Sequence, residues 1–150
     1  MVNGLNSVIR MKYVTFSKYG NTFIERHILN IVVTDRHCEL EYIVDSSKSL
    51  EIMKKIEKMV ADHKICLNMP VEVRFTKGDD IPLSPMYGRD STCFTFLVYN
   101  LEDHRVIYFE QLDKIFAEYG GRPHWGKWFG LTCKELQTLY PEWNNFLAAR

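Results

Sequence analysis

The order of two kinds of hydrophobic pattern constrains the fold of this chain more than any other feature. Apolar and polar side chains alternate at residues 38–45, 71–76 and 92–99, with Ile43 as an exception, and such alternation predicts half-buried strands. Apolar residues recur at helical spacing over residues 50–60 and again over residues 108–119. Each helix therefore follows a strand, and two strands stand together between the helices.

A short segment rich in aromatic residues, 122–129, is predicted to be one more extended stretch after the second helix. From residue 38 the order is then strand, helix, strand, strand, helix, strand, which is the split βαβ, or ferredoxin-like, arrangement. We predict an α+β fold in which both helices pack on one face of an antiparallel sheet. Residues 1–37 give no clear pattern and are left unassigned, and residues 38–150 form the predicted domain.

The alternation also predicts which side chains enter the core. The first helix would bury a stripe that begins at Leu50. Two more helices are predicted at the C-terminus, where residues 132–135 form a capping box and the second helix buries Trp143, Phe146 and Leu147. The predicted core residues of the two strands that lie between the helices in the sequence are Val71, Val73, Phe75, Phe94, Phe96 and Val98.

Charge and composition exclude several classes of function. The 150 residues contain 19 Lys and Arg and 19 Asp and Glu, so the formal net charge is zero. Binding to nucleic acid or to an anionic membrane surface requires a basic surplus that this chain lacks. No apolar run reaches the roughly 20 residues of a membrane-spanning helix. Four widely spaced cysteines without a C-x-x-C pair predict packed free thiols in a reducing compartment and no metal site.

The sheet face opposite the helices carries the first functional indication. Glu72, Arg74 and Thr76 share that face with Thr95 of the next strand. A carboxylate and a guanidinium two residues apart supply acceptors and donors for a polyhydroxylated ligand. Spacing alone favours the plainer interpretation, an ordinary surface ion pair of small energy.

The segment 121–127 carries the second indication. It places His124, Trp125 and Lys127 within four residues on an end strand, bracketed by glycines. The alternative is a tryptophan packed between helices beside a solvated lysine. Composition does not separate the two interpretations.

Three sequence stretches resemble one protein family. They are MPVEVRFTKGDDIPLSPMYGRDS at residues 69–91, YGGRPHWGK at 119–127 and LYPEWNNFLAAR at 139–150. Together they resemble the sugar-1,4-lactone oxidases, which act on L-gulono-, L-galactono- and D-arabinono-1,4-lactones, and the related alditol oxidases. These enzymes are flavoproteins of the vanillyl-alcohol-oxidase type.

The resemblance implies a function and a set of site residues. Residues 38–150 would be part of the substrate (cap) domain of an FAD-dependent oxidoreductase that takes a sugar lactone or alditol, as in ascorbate-type biosynthesis. Glu72, Arg74 and Lys127 would be catalytic, and Thr95 and His124 would bind substrate or support them. We expect the FAD-binding domain to be missing from this chain, which would then be a fragment without activity of its own.

Two further expectations accompany this hypothesis. The resemblance implies an intracellular protein, and membrane association at the endoplasmic reticulum or mitochondrion would have to come from missing parts or from surface contact. The competing hypothesis is a non-catalytic ferredoxin-like binding module or a decayed paralogue. RNA binding by the same topology is disfavoured because the sheet lacks the required aromatic motif and the net charge is zero.

Overall fold

The computed structural model describes residues 37–65, 70–99 and 102–149. The unassigned segment up to Arg36 lies outside the described residues, and the described residues belong to one compact unit, His37–Arg150. In chain order the elements are β1 (His37–Asp45), a 3-10 turn (Ser46–Lys48), α1 (Ser49–Asp62), β2 (Glu72–Thr76), β3 (Ser91–Tyr99), α2 (Glu102–Glu118), β4 (Arg122–Pro123), α3 (Cys133–Leu139) and α4 (Trp143–Ala149).

The sheet has the strand order β2-β3-β1-β4, with every neighbouring pair antiparallel. β1 and β3 pair along their whole length, from His37 opposite Tyr99 to Asp45 opposite Ser91. β2 lies on the outer side of β3, and β4 pairs with β1 at Tyr42. This order confirms the predicted α+β, ferredoxin-like arrangement, because β3 has inserted between the two strands that α1 connects.

One face of the sheet packs against α1 and α2 and forms the core. Alternate residues of the two central strands point into it, and Phe116 of α2 lies at its centre, stacked on Tyr42 at 4.8 Å between ring centroids. Such an aromatic pair adds geometric preference to the large apolar area that it buries. The other fully buried members of this cluster include Leu40, Val44, Ile52, Phe94 and Leu112.

Four core predictions were wrong. Phe75 is 72% exposed because it stands near the end of β2, an edge strand that the helix layer covers poorly. Leu50 is exposed because α1 buries the stripe that runs from Ser49 through Ile52. Phe146 and Leu147 are also exposed, since α4 has no buried residue.

The turn after α2 depends on two glycines. Gly120 has a φ of +59°, a left-handed conformation that glycine adopts without a steric penalty. A Cβ on Gly121 would lie 2.9 Å from both Cβ and the carbonyl oxygen of Phe116. The chain therefore passes directly against α2 before it enters β4.

The segment after this turn is only partly a strand. Arg122 and Pro123 form β4, and Trp128 makes an isolated bridge with Leu40. The buried Arg122 side chain donates to the carbonyls of Leu139, Tyr87 and Pro85, at 2.8, 2.7 and 3.3 Å. These bonds fix the segment to the β2–β3 loop and to the end of α3, whose capping box at Thr132 is confirmed.

Among the described residues, no helix has the length and apolar character needed to cross a membrane.

Candidate functional site

The face of the sheet opposite the helices carries a row of polar residues across three strands. Glu72 of β2 pairs with Thr95 of β3, and Thr95 pairs with Glu41 of β1. Arg74 lies two residues from Glu72 on the same face. Strand register thus brings together side chains that are distant in the sequence.

Glu41 is the centre of this row. Its side chain is 5% exposed, and both of its carboxylate oxygens accept a bond from a cation. Arg74 Nη2 donates to Oε1 at 2.9 Å, and Lys127 Nζ donates to Oε2 at 2.7 Å. A buried carboxylate is tolerated when it is paired in this way.

Arg74 has two more neighbours on the face. Its Nη2 donates to Thr95 Oγ1 at 3.2 Å, and its Nε lies 3.6 Å from Glu72 Oε1. Glu72 and Arg74 are 58% and 49% exposed, so a ligand has access to both side chains. The predicted Glu72–Arg74 pair is present, and it belongs to a network rather than standing alone.

Lys127 reaches the face because its segment runs along β1. The backbone N–H of His124 donates to the carbonyl of Glu41 at 2.9 Å, and that of Trp128 donates to the carbonyl of Glu39 at 2.9 Å. Between these two anchors the chain makes a turn in which Lys127 N–H donates to the His124 carbonyl at 3.1 Å. Both ends of the turn are thus held by the backbone carbonyls of Glu41 and Glu39, the same two residues whose carboxylates bind the lysine.

The lysine ends between two carboxylates of β1. Its Nζ lies 2.8 Å from Glu39 Oε2 and 2.7 Å from Glu41 Oε2. Its side chain is 19% exposed, so it is not the solvated lysine of the alternative interpretation. The row of charges alternates in sign from Glu72 through Arg74, Glu41 and Lys127 to Glu39.

Protonation follows from this pairing. Burial works to lower the pKa of Lys127, but its hydrogen bonds and attraction to Glu39 and Glu41 outweigh burial and raise the pKa. Burial works to raise the pKa of Glu39, but Lys127 and His37 outweigh it and lower the pKa. Lys127 and Glu39 are therefore both charged at neutral pH.

His124 supports the turn rather than touching the cations. Its Nδ1 accepts the backbone N–H of Gly126 at 3.1 Å, which places the proton of the neutral imidazole on Nε2. The side chain is exposed and lines an open depression of about 420 Å³ beside Lys127, together with Glu39 and Trp128. The predicted supporting role stays a prediction.

Trp125 serves mainly to pack its own loop. Its ring stacks on Tyr140 at 5.0 Å, and its Nε1 donates to the carbonyl of Leu83 at 2.9 Å. The ring is half exposed. The ring is packed on one side only, so the alternative interpretation of segment 121–127, a tryptophan packed between helices, is met only in part.

Glu39 and Glu41 were not among the predicted site residues. Their alternation with Leu40 and Tyr42 was visible, and it places both carboxylates on the face that Glu72 and Arg74 share once β1 lies beside β3. What the pattern did not contain was the pairing of the strands. The signal that would have found Glu41 is the ferredoxin-like strand order itself.

The described residues offer hydrogen-bond donors at Arg74 and Lys127 and acceptors at Glu72 and Thr95, which suits a ligand with several hydroxyl groups. They do not fit the whole of FAD. None of the described helices begins at a glycine-rich turn of the kind that binds a dinucleotide pyrophosphate. The donors and acceptors of the charged face can orient a hydroxylated ligand, and its two cations can stabilise negative charge that develops on an oxygen beside them.

Comparison with known proteins gives a consistent result. The family model of D-arabinono-1,4-lactone oxidase matches residues 4–150. The chain is 35% identical over 115 residues to an L-gulono-1,4-lactone dehydrogenase of Mycobacterium tuberculosis, which covers 77% of this chain and 27% of that protein. It is 34% identical over 114 residues to the L-gulonolactone oxidase of Mus musculus, covering 73% and 26%.

A more distant relative is an alditol oxidase of a Streptomyces species, 25% identical over 108 residues, covering 72% of this chain and 26% of that protein. The chain thus spans about a quarter of the length of these relatives.

Proposed function

Because this chain belongs to the D-arabinono-1,4-lactone oxidase family, we propose that its charged sheet face binds the substrate of an FAD-dependent aldono-1,4-lactone oxidoreductase. The observation that carries this proposal is the pair of cations, Arg74 and Lys127, held side by side on one buried carboxylate at an accessible face. The relatives are lactone oxidases and dehydrogenases by name, which supports the same class of reaction.

The chemistry of the face supports a neutral, polyhydroxylated substrate. Hydroxyl groups both donate and accept hydrogen bonds, and the face presents carboxylates beside cations. Three carboxylates, Glu39, Glu41 and Glu72, accompany two cations, so an added anion gains little from the face as a whole. A lactone ring carries no charge and fits this balance. An open-chain alditol has the same hydroxyl chemistry, and we propose it as the second substrate class because an alditol oxidase is among the relatives.

We assign roles to the side chains from their positions. When a hydroxyl-bearing carbon is oxidised, its hydroxyl proton would pass to solvent water, and fixed cations stabilise the negative charge that develops on the oxygen. Arg74 and Lys127 would supply this stabilisation, and Glu72 would accept a hydrogen bond from a neighbouring hydroxyl. Thr95 would support the Arg74 guanidinium, since its hydroxyl oxygen accepts a hydrogen bond from Arg74 Nη2.

FAD is the cofactor that we propose for the redox step, since accepting the hydride is chemistry that side chains do not supply. The contribution of the described residues is limited to the substrate side: binding, orientation and charge.

The experiment that tests the proposal is a calorimetric titration of the chain with L-gulono-1,4-lactone, D-arabinono-1,4-lactone and xylitol, with sodium gulonate as the anionic comparison. We expect the lactones to bind, gulonate to bind more weakly, and Arg74→Ala to abolish lactone binding while the far-ultraviolet circular dichroism spectrum is unchanged. Absence of binding by every sugar, or equal binding by Arg74→Ala, would contradict the proposal.

The competing hypothesis of a non-catalytic binding module is separated by size-exclusion chromatography run beside the titration. Association of the chain with itself or with a partner, without binding of any lactone, would support the non-catalytic binding module. A monomer that binds lactones fits the substrate-binding role.

A further inference from the structure

We propose that Glu41 is the positioning residue of this site, a single buried carboxylate that sets the spacing and orientation of Arg74 and Lys127. The inference deepens the proposed function, since the two cations are the groups that would face the substrate. It assigns Glu41 no contact with substrate, only an effect through the two cations.

The geometry distinguishes Glu41 from the other carboxylates of the face. Glu72 lies 3.6 Å from one cation, and Glu39 contacts the lysine but has no described contact with the arginine. Glu41 contacts both cations, one through each oxygen, at 2.9 and 2.7 Å. Because the two oxygens belong to one rigid group, their separation fixes how far apart the two nitrogens stand.

Burial makes this arrangement stiff. Glu41 lies at the centre of the sheet, with Thr95 opposite it on β3, and its backbone carbonyl accepts the His124 N–H that begins the Lys127 turn. The residue therefore holds Lys127 in two ways, by the backbone at one end of the turn and by the side chain at the other. A carboxylate that is buried and hydrogen-bonded on both oxygens has little freedom to move. It therefore fixes the positions of the Arg74 and Lys127 nitrogens that it binds.

The same geometry places Glu41 outside direct chemistry. Both oxygens are occupied by cations, and the Glu41 side chain is 5% exposed, whereas Arg74 and Lys127 are 49% and 19% exposed. Without Glu41, the two cations would keep separate partners. Arg74 would retain Thr95 and Glu72, and Lys127 would retain Glu39, so the site would come apart into two halves rather than disappear.

The test compares Glu41→Gln with the matched control Glu39→Gln in the full chain, first without ligand. Nuclear magnetic resonance follows the Nη2–H signal of Arg74, the group that donates to Glu41, and the pH titration of the Lys127 ε-carbon. We expect Glu41→Gln to shift the Arg74 signal and to lower the pKa of Lys127. Glu39→Gln should lower the pKa of Lys127 and leave the Arg74 signal unchanged, since Glu39 has no described contact with that arginine. An unchanged Arg74 signal in Glu41→Gln would overturn the proposal.

The second readout is affinity for L-gulono-1,4-lactone. We expect Glu41→Gln to weaken binding by about tenfold or more, because both cations lose their common partner, and Glu39→Gln to weaken it by less than about threefold. Equal affinities of wild type and Glu41→Gln would overturn the positioning role while leaving the proposed function intact. If the wild-type chain does not bind the lactone, but Glu41→Gln still changes both the Arg74 signal and the pKa of Lys127, the proposed function is overturned and the positioning role of Glu41 stands.

If Glu41→Gln does not fold, Glu41→Asp takes its place. Aspartate keeps the charge, but it is one methylene shorter and does not reach both cations from the same backbone position. The same shift of the Arg74 signal and a weaker affinity are expected, and wild-type values for both would overturn the proposal.

Discussion

The two faces of the sheet are made by the same strands and differ in almost everything else. On β1, Leu40 and Tyr42 point into an apolar core between the sheet and two helices, and Glu39 and Glu41 point to the opposite side. The first face is closed, and its contacts are mainly between hydrocarbon groups, with a hydrogen bond from the Tyr42 hydroxyl to Asp113. The second is partly open, and its contacts are hydrogen bonds between charged groups.

The comparison shows how one strand serves both stability and binding. Burial of apolar area contributes most of the folding free energy, and a closed face gains the most from it. The exposed Glu72–Arg74 pair contributes little to stability, and the network as a whole fixes the direction of donors and acceptors. Substitutions on the helix face should therefore change the free energy of unfolding, and substitutions on the charged face should change ligand affinity.

The largest effect is expected for Phe116→Ala on the helix face. Phe116 is fully buried and contacts the rings of Tyr42, Phe94 and Phe96, so its removal leaves a cavity that the sheet cannot close. The free energy of unfolding should fall by about 3–5 kcal/mol, measured by urea denaturation. The control is Phe75→Ala, an exposed phenylalanine of β2, for which a change within about 0.5 kcal/mol is expected. Equal losses in the two variants would contradict the claim that closure of the helix face, and not apolar character alone, provides the stability.

Gly121→Ala sharpens the comparison because Gly121 touches the core and begins the segment that carries Lys127. Its new Cβ would lie 2.9 Å from the Phe116 backbone oxygen, which cannot move aside without disturbing α2. We expect a loss of about 1–3 kcal/mol in the free energy of unfolding, together with weaker lactone binding.

Gly126→Ala is the matched control for that variant, since its Cβ would meet only the flexible ring of His124, at 3.3 Å. Its free energy of unfolding should stay near the wild-type value. A Gly121→Ala variant as stable as Gly126→Ala would show that the turn is not held against α2.

Lys127→Met tests the charged face directly. Methionine keeps most of the aliphatic length and removes the charge, so packing is largely preserved. Affinity for L-gulono-1,4-lactone should fall by about tenfold or more, which is about 1.4 kcal/mol. Lys77→Met, an exposed lysine paired with Asp90 in the β2–β3 loop, should bind the lactone as the wild type does. Equal lactone affinities of the two variants would contradict the assignment of Lys127 to the substrate-binding site.

The smallest effect is expected in the dependence of stability on pH. The lowered pKa of Glu39 means that its pairing stabilises the fold above its ordinary value of 4.5 and is lost as the pH falls through the lowered value. The raised pKa of Lys127 means that its pairing stabilises the fold below 10.5 and is lost as the pH rises through the raised value.

The difference in the free energy of unfolding between wild type and Lys127→Met should therefore be greatest between these limits and shrink on either side. Urea denaturation at a series of pH values measures it. A difference that does not vary with pH would mean that the charges of Glu39 and Lys127 are not coupled in the folded chain.

Local patterns predicted much of the helix face. Alternation in β1 and β3 and the stripe of α2 gave the central core residues, and the order of elements gave the sheet. The wrong core predictions concern side chains whose burial depends on their position in the tertiary structure. Phe75 has the pattern of a core residue, but it stands on an edge strand, and nothing in its own neighbourhood of the sequence marks that edge.

The charged face was predicted in part. Glu72, Arg74 and Thr95 share a face by alternation. The composition of segment 121–127 singled out Lys127, and only the family resemblance placed it in the same site as Glu72 and Arg74. Glu41 was missed although it lies between the two cations. Its role depends on the pairing of β1 with β3 and on a turn more than 80 residues away in the sequence, since the Glu41–Lys127 bond spans 86 positions. Local periodicity does not contain such a contact.

The most direct test of the account is a nitrogen-15 chemical-shift titration of the labelled chain with L-gulono-1,4-lactone. We predict that saturable shifts concentrate on the charged face and in the turn at His124, whereas the amide chemical shifts of α1 and α2 do not change. On the charged face the affected residues should be Glu41, Arg74, Thr95 and Lys127. Shifts confined to the helix side, or no shifts at any lactone concentration, would contradict the claim that this face binds the substrate.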